Sequence, residues 1–145
     1  MALLYNWSMA NTNDFRTGRH CVFALHVHLV FVTKYRRKVL SAAAHETLRE
    51  LFISICEDFA ARLVEANGED DHVHLLVEYP PKVAISKLVN SLKGVSSRRL
   101  RQLHPEIAQR YYQGVLWSSS YFAASCGGAP LSIIRQYVED QRKNL

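Results

Sequence analysis

The chain of 145 residues is 48% hydrophobic and 21% charged, which fits one globular domain with a single core. No apolar run reaches the roughly 18–20 residues of a membrane span, and the first residues lack the features of a signal peptide. Three cysteines without a CxxC pair argue against a disulfide framework and indicate the cytoplasm, while the net charge of +5 is compatible with a polyanionic partner.

Residues 1–19 are predicted to form a loosely held leader, and residues 20–145 a single domain. Apolar residues alternate at a period of two between residues 20 and 33, which predicts a long strand. This strand leads into the basic cluster at residues 34–38, which is either a solvated loop or a phosphate-binding edge with an aromatic ring for stacking. Apolar residues at spacings of three and four then predict a helix over residues 43–62.

The middle of the chain is predicted to hold a β-hairpin and a second helix. Strands at residues 63–66 and 72–79 flank a turn signal at residues 67–70, and two prolines end the second strand. The helix over residues 84–103 carries basic side chains and no acidic one. Because a solvated helix normally mixes both signs, this helix is predicted to contact nucleic acid.

The last third is predicted to contain two short strands and a C-terminal helix. The strands lie at residues 115–117 and 121–124, and the helix spans residues 131–143 after a Gly-Gly-Ala-Pro breaker. The resulting order of strands and helices predicts an α+β fold, in which helices pack on an antiparallel sheet.

Two histidines on one predicted strand are candidates for binding a metal ion. His72 and His74 point to the same face of an extended strand, with Cα atoms about 6.5–7 Å apart, so both rings can reach one cation. The chain holds a second such pair, His26 and His28, and spacing alone cannot choose between the two pairs. Taken alone, either pair is most simply explained as structural.

A tyrosine and a glutamine on the predicted C-terminal helix could complete a site of this kind. Tyr137 and Gln141 are four residues apart and therefore share one helical face. A free tyrosine is a poor nucleophile because its pKa is about 10, but a neighbouring cation favours the phenolate. From this helix alone, Tyr137 is better explained as a residue of an amphipathic face.

Five stretches of the chain resemble, in order, the small single-tyrosine HUH transposases of prokaryotic insertion sequences, the TnpA type, and the chain is also similar to REP-associated tyrosine transposases. His72-Val73-His74 is similar to their HUH motif, in which a hydrophobic residue separates two histidines. The five stretches are residues 28–36, 71–76, 92–98, 117–122 and 134–141. Two positions depart from the family pattern, which has proline where this chain has Asp70 and Ser119.

The resemblance implies a ferredoxin- or RRM-like HUH fold whose C-terminal helix carries the tyrosine. It implies that Tyr137 is the nucleophile and that His72, His74 and Gln141 hold Mg²⁺ or Mn²⁺. It assigns no metal role to the other histidine pair, His26 and His28, which is then structural or faces the DNA.

The family also implies a reaction and partners. Its members cut single-stranded DNA near hairpins at the ends of the element, join the tyrosine to a 5′-phosphate and later reseal the strands. They act as homodimers with a shared sheet, and the tyrosine helix can complete the partner's site, with Gly127-Gly128 as its hinge here. The basic side chains that are candidate DNA contacts are Lys34, Arg36, Arg37, Lys93, Arg98 and Arg99.

Other functions are compatible with parts of this pattern. A non-catalytic domain that binds single-stranded nucleic acid predicts that a change at Tyr137 has no effect on cleavage. A metallohydrolase that uses water predicts turnover that survives the same change. A related HUH nickase that initiates replication usually carries more sequence than this chain has.

Overall fold

The computed structural model describes residues 15–18, 20–111, 114–125 and 136–140. The strands are β1 (Arg16–Thr17), β2 (Val22–Phe23), β3 (His26–Val32), β4 (Arg62–Glu69), β5 (His72–Glu78) and β6 (Phe122–Ser125). The helices are α1 (Ala42–Asp58), α2 (Ile85–Leu103) and α3 (Pro105–Ala108). Residues 136–140 are also helical and are called the Tyr137 segment. Within the described ranges, no helix is long and apolar enough to cross a membrane.

A four-stranded antiparallel sheet forms the centre of the fold, in the order β4-β5-β3-β6. Its elements follow one another as β3-α1-β4-β5-α2-β6, with α3 between α2 and β6, which is the ferredoxin-like connectivity. The predicted α+β fold, with helices packed on an antiparallel sheet, is confirmed. The predicted C-terminal helix, residues 131–143, lies mostly outside the described residues, as does the Gly127-Gly128 hinge.

Because side chains alternate along a strand, one face of the two central strands packs in the core and the other face carries their histidines. The core side chains of β3 and β5 are Val27, Leu29, Phe31, Val73, Leu75 and Val77. They pack with Leu48 and Phe52 of α1 and with Leu88 and Leu92 of α2. Burying a side chain of this size contributes about 1.5–3 kcal/mol, so this face supplies much of the stability.

The long strand predicted over residues 20–33 is divided into β2 and β3, a difference that follows from pairing. β2 pairs with β1, placing Arg16 opposite Phe23, whereas β3 pairs with β5 and β6. Arg16 lies within the predicted leader, yet its guanidinium donates to the carbonyl of Ala60 and lies 3.2 Å from the buried carboxylate of Glu78. Contacts of the fold therefore begin before residue 20.

α1 ends four residues earlier than the periodicity predicts, because the chain turns at Ala60. The amide of Ala60 donates to the carbonyl of Glu57, and the amide of Ala61 donates to that of Cys56, which is the Schellman pattern of helix termination. Ala60 has a φ of 54°, a conformation that glycine usually supplies. With alanine at this position, the helix stop is not visible in the sequence.

The hairpin of β4 and β5 is longer than predicted, because β4 continues to Glu69 and the turn is made at Asp70 and Asp71. Gly68 lies opposite Val73 in this ladder. A Cβ at Gly68 would collide with the carbonyl oxygen of His72. The glycine therefore allows β4 to approach the backbone of the strand that carries the two histidines.

Candidate active site

The candidate site lies on the sheet face opposite α1 and α2. In the register of β3 and β5, His74 is opposite Val30 and His72 is opposite Val32. Val138 of the Tyr137 segment packs against the same two valines, so this segment covers the histidine-bearing face. The structure thus brings the predicted tyrosine and both predicted histidines to one side of the sheet.

His72 is held by a buried carboxylate that precedes it in the chain. Its Nδ1 lies 2.9 Å from Oδ1 of Asp71, whose other oxygen accepts from Nε of Arg36 at 2.7 Å. Burial alone would raise the pKa of Asp71, but these two hydrogen bonds and the charge of Arg36 hold that pKa below its ordinary value. An ionised Asp71 that accepts from Nδ1 leaves Nε2 of His72 free to bind a metal ion.

His74 is paired with a histidine of the neighbouring strand. Its Nε2 lies 3.0 Å from Nδ1 of His28, and the two rings stack with centroids 5.2 Å apart. Burial and the nearby His28 lower the pKa of His74, which favours its neutral form. Neutral imidazole is the form that binds metals, so His74 suits that role and His28 is its immediate neighbour. The two histidines of the second pair, His26 and His28, thus have different partners: His28 contacts His74, whereas His26 lies 3.5 Å from the buried carboxylate of Glu78.

Tyr137 is half-buried against Phe122 of β6, and its oxygen lies close to a serine hydroxyl. Its ring lies 5.6 Å from that of Phe122, and its phenolic oxygen is 3.1 Å from Oγ of Ser120. Burial raises the pKa of Tyr137, and the hydrogen bond with Ser120 acts in the opposite direction. At neutral pH the group is a phenol, which must lose its proton to become a good nucleophile.

Arg36 connects the histidine strand to the Tyr137 segment. Besides its bond to Asp71, its Nη2 lies 3.6 Å from the carboxylate of Glu139. Its Nη1 is buried and makes no hydrogen bond within the described residues. Tyr35 and Arg36 have φ angles of 62° and 53°, a strained conformation for side chains of this size. The ion pair with Asp71 offsets that strain and keeps the guanidinium inside the site.

Lys93 also has partners inside the protein. Its ammonium group donates to the carbonyls of Ser118 and Ser120, at 2.7 and 3.2 Å. Burial lowers the pKa of Lys93. Although Lys93 was predicted from the sequence to contact DNA, in the structure it holds the chain just before β6.

Of the other candidate DNA contacts, Lys34 and Arg37 are partly buried, and two arginines of α2 are exposed. The cationic groups of Lys34 and Arg37 lie over the ring of Tyr35, at 5.3 and 5.1 Å from its centroid, and Tyr35 as a whole is 53% exposed. Arg98 and Arg99 are exposed on α2. A cation-flanked aromatic ring is suited to stacking with a base, and two exposed cations are suited to phosphates.

Carboxylates add oxygen ligands near His72. Ligand atoms of Glu69, Asp71 and His72 lie within 4.8 Å of one another. Both oxygens of Asp71 already accept hydrogen bonds, so Glu69 is the carboxylate of this group that is available to a cation. The Glu69 carboxylate, Nε2 of His72 and a neutral His74 fit Mn²⁺, which accepts nitrogen and oxygen, better than Mg²⁺, which prefers oxygen. Gln141, the third predicted ligand, lies outside the described residues.

Three contacts of this site were not predicted from the sequence: His28 with His74, Asp71 with Arg36, and Ser120 with Tyr137. Asp71 was visible as the residue before the two histidines, and Ser120 as part of a stretch that resembles the transposases. His28 had the same flanking pattern as His74. In each case the missing information was the partner, which only the folded chain provides.

Comparison with known proteins gives consistent matches over most of the chain. A family model described as IS200-like transposase matches residues 21–141. ISDra2 transposase TnpA of Deinococcus radiodurans is 30% identical over 128 residues, which are 88% of this chain and 91% of that protein. The transposase for insertion sequence element IS200 of Salmonella typhimurium is 28% identical over 128 residues, which are 88% of this chain and 84% of that protein.

Two solved structures share the fold. A crystal structure of a candidate transposase from Deinococcus radiodurans R1 matches with a TM-score of 0.80 and 33% identity, over 87% of this chain and 97% of that one. The structure of a REP-associated tyrosine transposase bound to a REP hairpin matches with a TM-score of 0.53 and 13% identity, over 86% and 68% of the two chains.

Proposed function

We propose a function from one premise: the chain belongs to the family of IS200-like transposases. It cuts and rejoins single-stranded DNA at the ends of an insertion sequence, with Tyr137 as the nucleophile. The observation that supports this most is the position of Tyr137 on the same sheet face as His72 and His74. Without the tyrosine on that face, the histidines would fit water-mediated hydrolysis equally well.

The reaction conserves the energy of the phosphodiester. The Tyr137 oxygen forms a bond to phosphorus while the bond from phosphorus to the 3′ oxygen breaks. The phenol loses its proton, the departing oxygen gains one, and the products are a 3′-hydroxyl and a 5′-phosphotyrosine. A later 3′-hydroxyl attacks that phosphotyrosine, which reseals a strand and restores the phenol without ATP.

His72, His74 and Gln141 are the residues that would hold Mg²⁺ or Mn²⁺ in this mechanism. When bound, the cation polarises the phosphate and offsets the negative charge that builds up during attack. Asp71 fixes the ring of His72, and His28 fixes the ring of His74, so each imidazole is oriented before any cation arrives.

His28→Ala is expected to weaken Mn²⁺ binding about tenfold, because groups that orient metal-binding histidines contribute roughly 10–100-fold to affinity. Isothermal titration calorimetry of the DNA-free protein measures this directly. His26→Ala is the matched control, since His26 lies on the same strand and pairs with Glu78 instead. Equal affinity in the His28→Ala variant and the wild type would show that His28 has no role at the metal site.

Single-stranded DNA with hairpins is the proposed substrate, and the relative bound to a REP hairpin makes hairpin recognition a reasonable expectation. α2 packs on the opposite face of the sheet from the site, but it presents two exposed cations, Arg98 and Arg99. Ser96 and Ser97 of α2 bond to Trp117 and Leu116 in the segment that leads to Ser120, and Arg98 and Arg99 follow directly.

Replacement of Arg98 and Arg99 by alanine is expected to weaken single-strand binding and to flatten its salt dependence. Two lost phosphate contacts reduce the slope of log K against log salt by about 1.4, at roughly 0.7 per contact. Fluorescence anisotropy over a salt series measures both quantities. A control with alanine at Arg49 and Arg110, two exposed cations elsewhere, has the same net charge. An identical slope in both double variants would exclude a specific α2 contact.

A homodimer with a shared sheet is part of the proposal. β4 and β6 are the edge strands of the sheet, and β4 spans eight residues with most of its side chains exposed. Among the described residues, no strand pairs with the outer edge of β4, and an edge of this length is able to accept a strand from a second chain. Light scattering of the purified protein measures its mass in solution, and a monomer at working concentration would contradict this part.

The decisive experiment uses labelled oligonucleotides from the ends of the surrounding element. The protein is incubated with them and Mg²⁺ or Mn²⁺, and covalent adducts are resolved on a denaturing gel. Mass spectrometry then locates the nucleotide on the peptide. We expect an adduct on Tyr137 that EDTA prevents. An adduct on another residue, or cleavage with no adduct, would refute the mechanism.

A further inference from the structure

We propose that Ser120 is a further catalytic residue, whose hydroxyl donates a hydrogen bond to the Tyr137 oxygen as that oxygen attacks phosphorus. The inference rests on the proposed function, since it assumes that Tyr137 is the nucleophile. Its starting point is the 3.1 Å separation of the two hydroxyl oxygens.

The hydrogen bond changes character when the phenol ionises. In the neutral pair either hydroxyl can donate. Once the Tyr137 proton has passed to solvent, the tyrosine oxygen can only accept, and Ser120 becomes the donor to a negative charge. Hydrogen bonds to charged groups are about twice as strong as those between neutral groups. The contact is therefore stronger in the reactive form than in the resting form, which is the requirement for accelerating a reaction.

The backbone around Ser120 is fixed from two directions. The amide of Ser118 donates to the carbonyl of Val32 at the end of β3, at 2.7 Å. From α2, Lys93 donates to the carbonyls of Ser118 and Ser120. These bonds hold Ser120 before DNA arrives, so its hydroxyl is placed without further rearrangement.

The setting of Tyr137 makes such a donor useful. Val138 and Phe122 help to bury its ring, and burial raises the pKa of the phenol. The hydrogen bond with Ser120 opposes that rise. The burial that positions the nucleophile thus makes it less acidic, and Ser120 offsets part of this effect.

The first test measures the phenol directly and needs no DNA. Fluorotyrosine, which is more acidic than tyrosine, replaces Tyr137, and its ionisation is followed by fluorine NMR. Ser120→Ala is expected to raise the pH midpoint of this ionisation by about one to two units, because losing a hydrogen bond to the charged phenolate makes ionisation less favourable by roughly that amount. Ser120→Thr keeps a hydroxyl and is expected to restore the wild-type midpoint. Ser119→Ala, a change at the exposed neighbouring serine, is expected to have no effect.

The second test measures single-turnover adduct formation against pH with natural tyrosine. In Ser120→Ala the rate at neutral pH is expected to fall about tenfold, and the pH profile to shift upward. A structural role alone would lower the rate without moving the profile. An unmoved midpoint and profile in Ser120→Ala, or equal effects from Ser119→Ala, would overturn the role of Ser120 while leaving the proposed function standing. A wild-type protein whose phenol titrates as expected but that never forms an adduct would instead refute the proposed function, and with it any catalytic role for Ser120.

Discussion

Tyr137→Phe is expected to abolish the covalent protein–DNA adduct while leaving the fold and DNA binding intact. The substitution removes the attacking oxygen and nothing else. The phenylalanine ring keeps its contacts with Phe122 and Val138 on the sheet. The lost hydrogen bond to Ser120 is exposed to solvent, so the free energy of unfolding falls by no more than about 1 kcal/mol.

Three measurements on the Tyr137→Phe protein separate the possible functions. Denaturing gels report the adduct, anisotropy reports DNA binding, and thermal unfolding reports the fold. Tyr121→Phe is the matched control, because Tyr121 is also half-buried and lies beside Lys93, just before β6. Cleavage that persists in Tyr137→Phe would identify water as the nucleophile and a metallohydrolase as the function. Binding without cleavage in the wild type, on correct DNA ends, would support a pure binding domain.

Asp71→Ala is expected to reduce both stability and metal affinity. The carboxylate of Asp71 is buried and pairs with Arg36, whose side chain is only 16% exposed. Removing one partner of such a pair leaves a buried charge and costs about 3–5 kcal/mol of the free energy of unfolding. His72 also loses the group that orients its ring, which lowers Mn²⁺ affinity roughly 10–100-fold.

Denaturant unfolding and calorimetry measure the two effects of the Asp71 change. Asp70→Ala is the control: Asp70 is exposed, and its carbonyl, which accepts from the amide of Leu40, is unchanged by the substitution. Asp71→Asn keeps the shape but removes the charge. Because the pKa of Asp71 is lowered in the folded chain, its stabilising effect is present above the ordinary aspartate pKa and lost below it. The advantage of the wild type over Asp71→Asn should therefore shrink as pH falls below about 4. A constant advantage down to pH 2 would contradict this account.

The sequence predicts helices and strands well where the pattern depends only on residues close to one another along the chain. The alternation in β5 correctly placed His72 and His74 on one face, opposite the core residues Val73 and Leu75. The helical periodicity of α1 and α2 identified both helices. These features depend on neighbours along the chain, so they can be found in a single sequence.

The partners of the site residues depend on pairing between distant segments, which a single sequence does not reveal. His28 meets His74 because β3 and β5 pair in a register that sets Val30 opposite His74. Arg36 and Lys93 were recognised as cations, but their positions next to Asp71 and to the carbonyl of Ser120 follow from the fold. A basic residue in the sequence therefore predicts a positive charge, and the fold shows which groups of the protein that charge contacts.

The two faces of the sheet have a consequence for how this protein can change. In β3 and β5, Leu29 and Leu75 belong to the core on the side of α1 and α2, whereas His28 and His74 lie on the other face. A substitution at Leu29 or Leu75 is expected to act on folding, and one at His28 or His74 on the proposed reaction. Val30 and Val32 also lie on this second face but are buried against Val138, so new activities are expected to arise at its polar positions, while the buried residues of both faces preserve the domain.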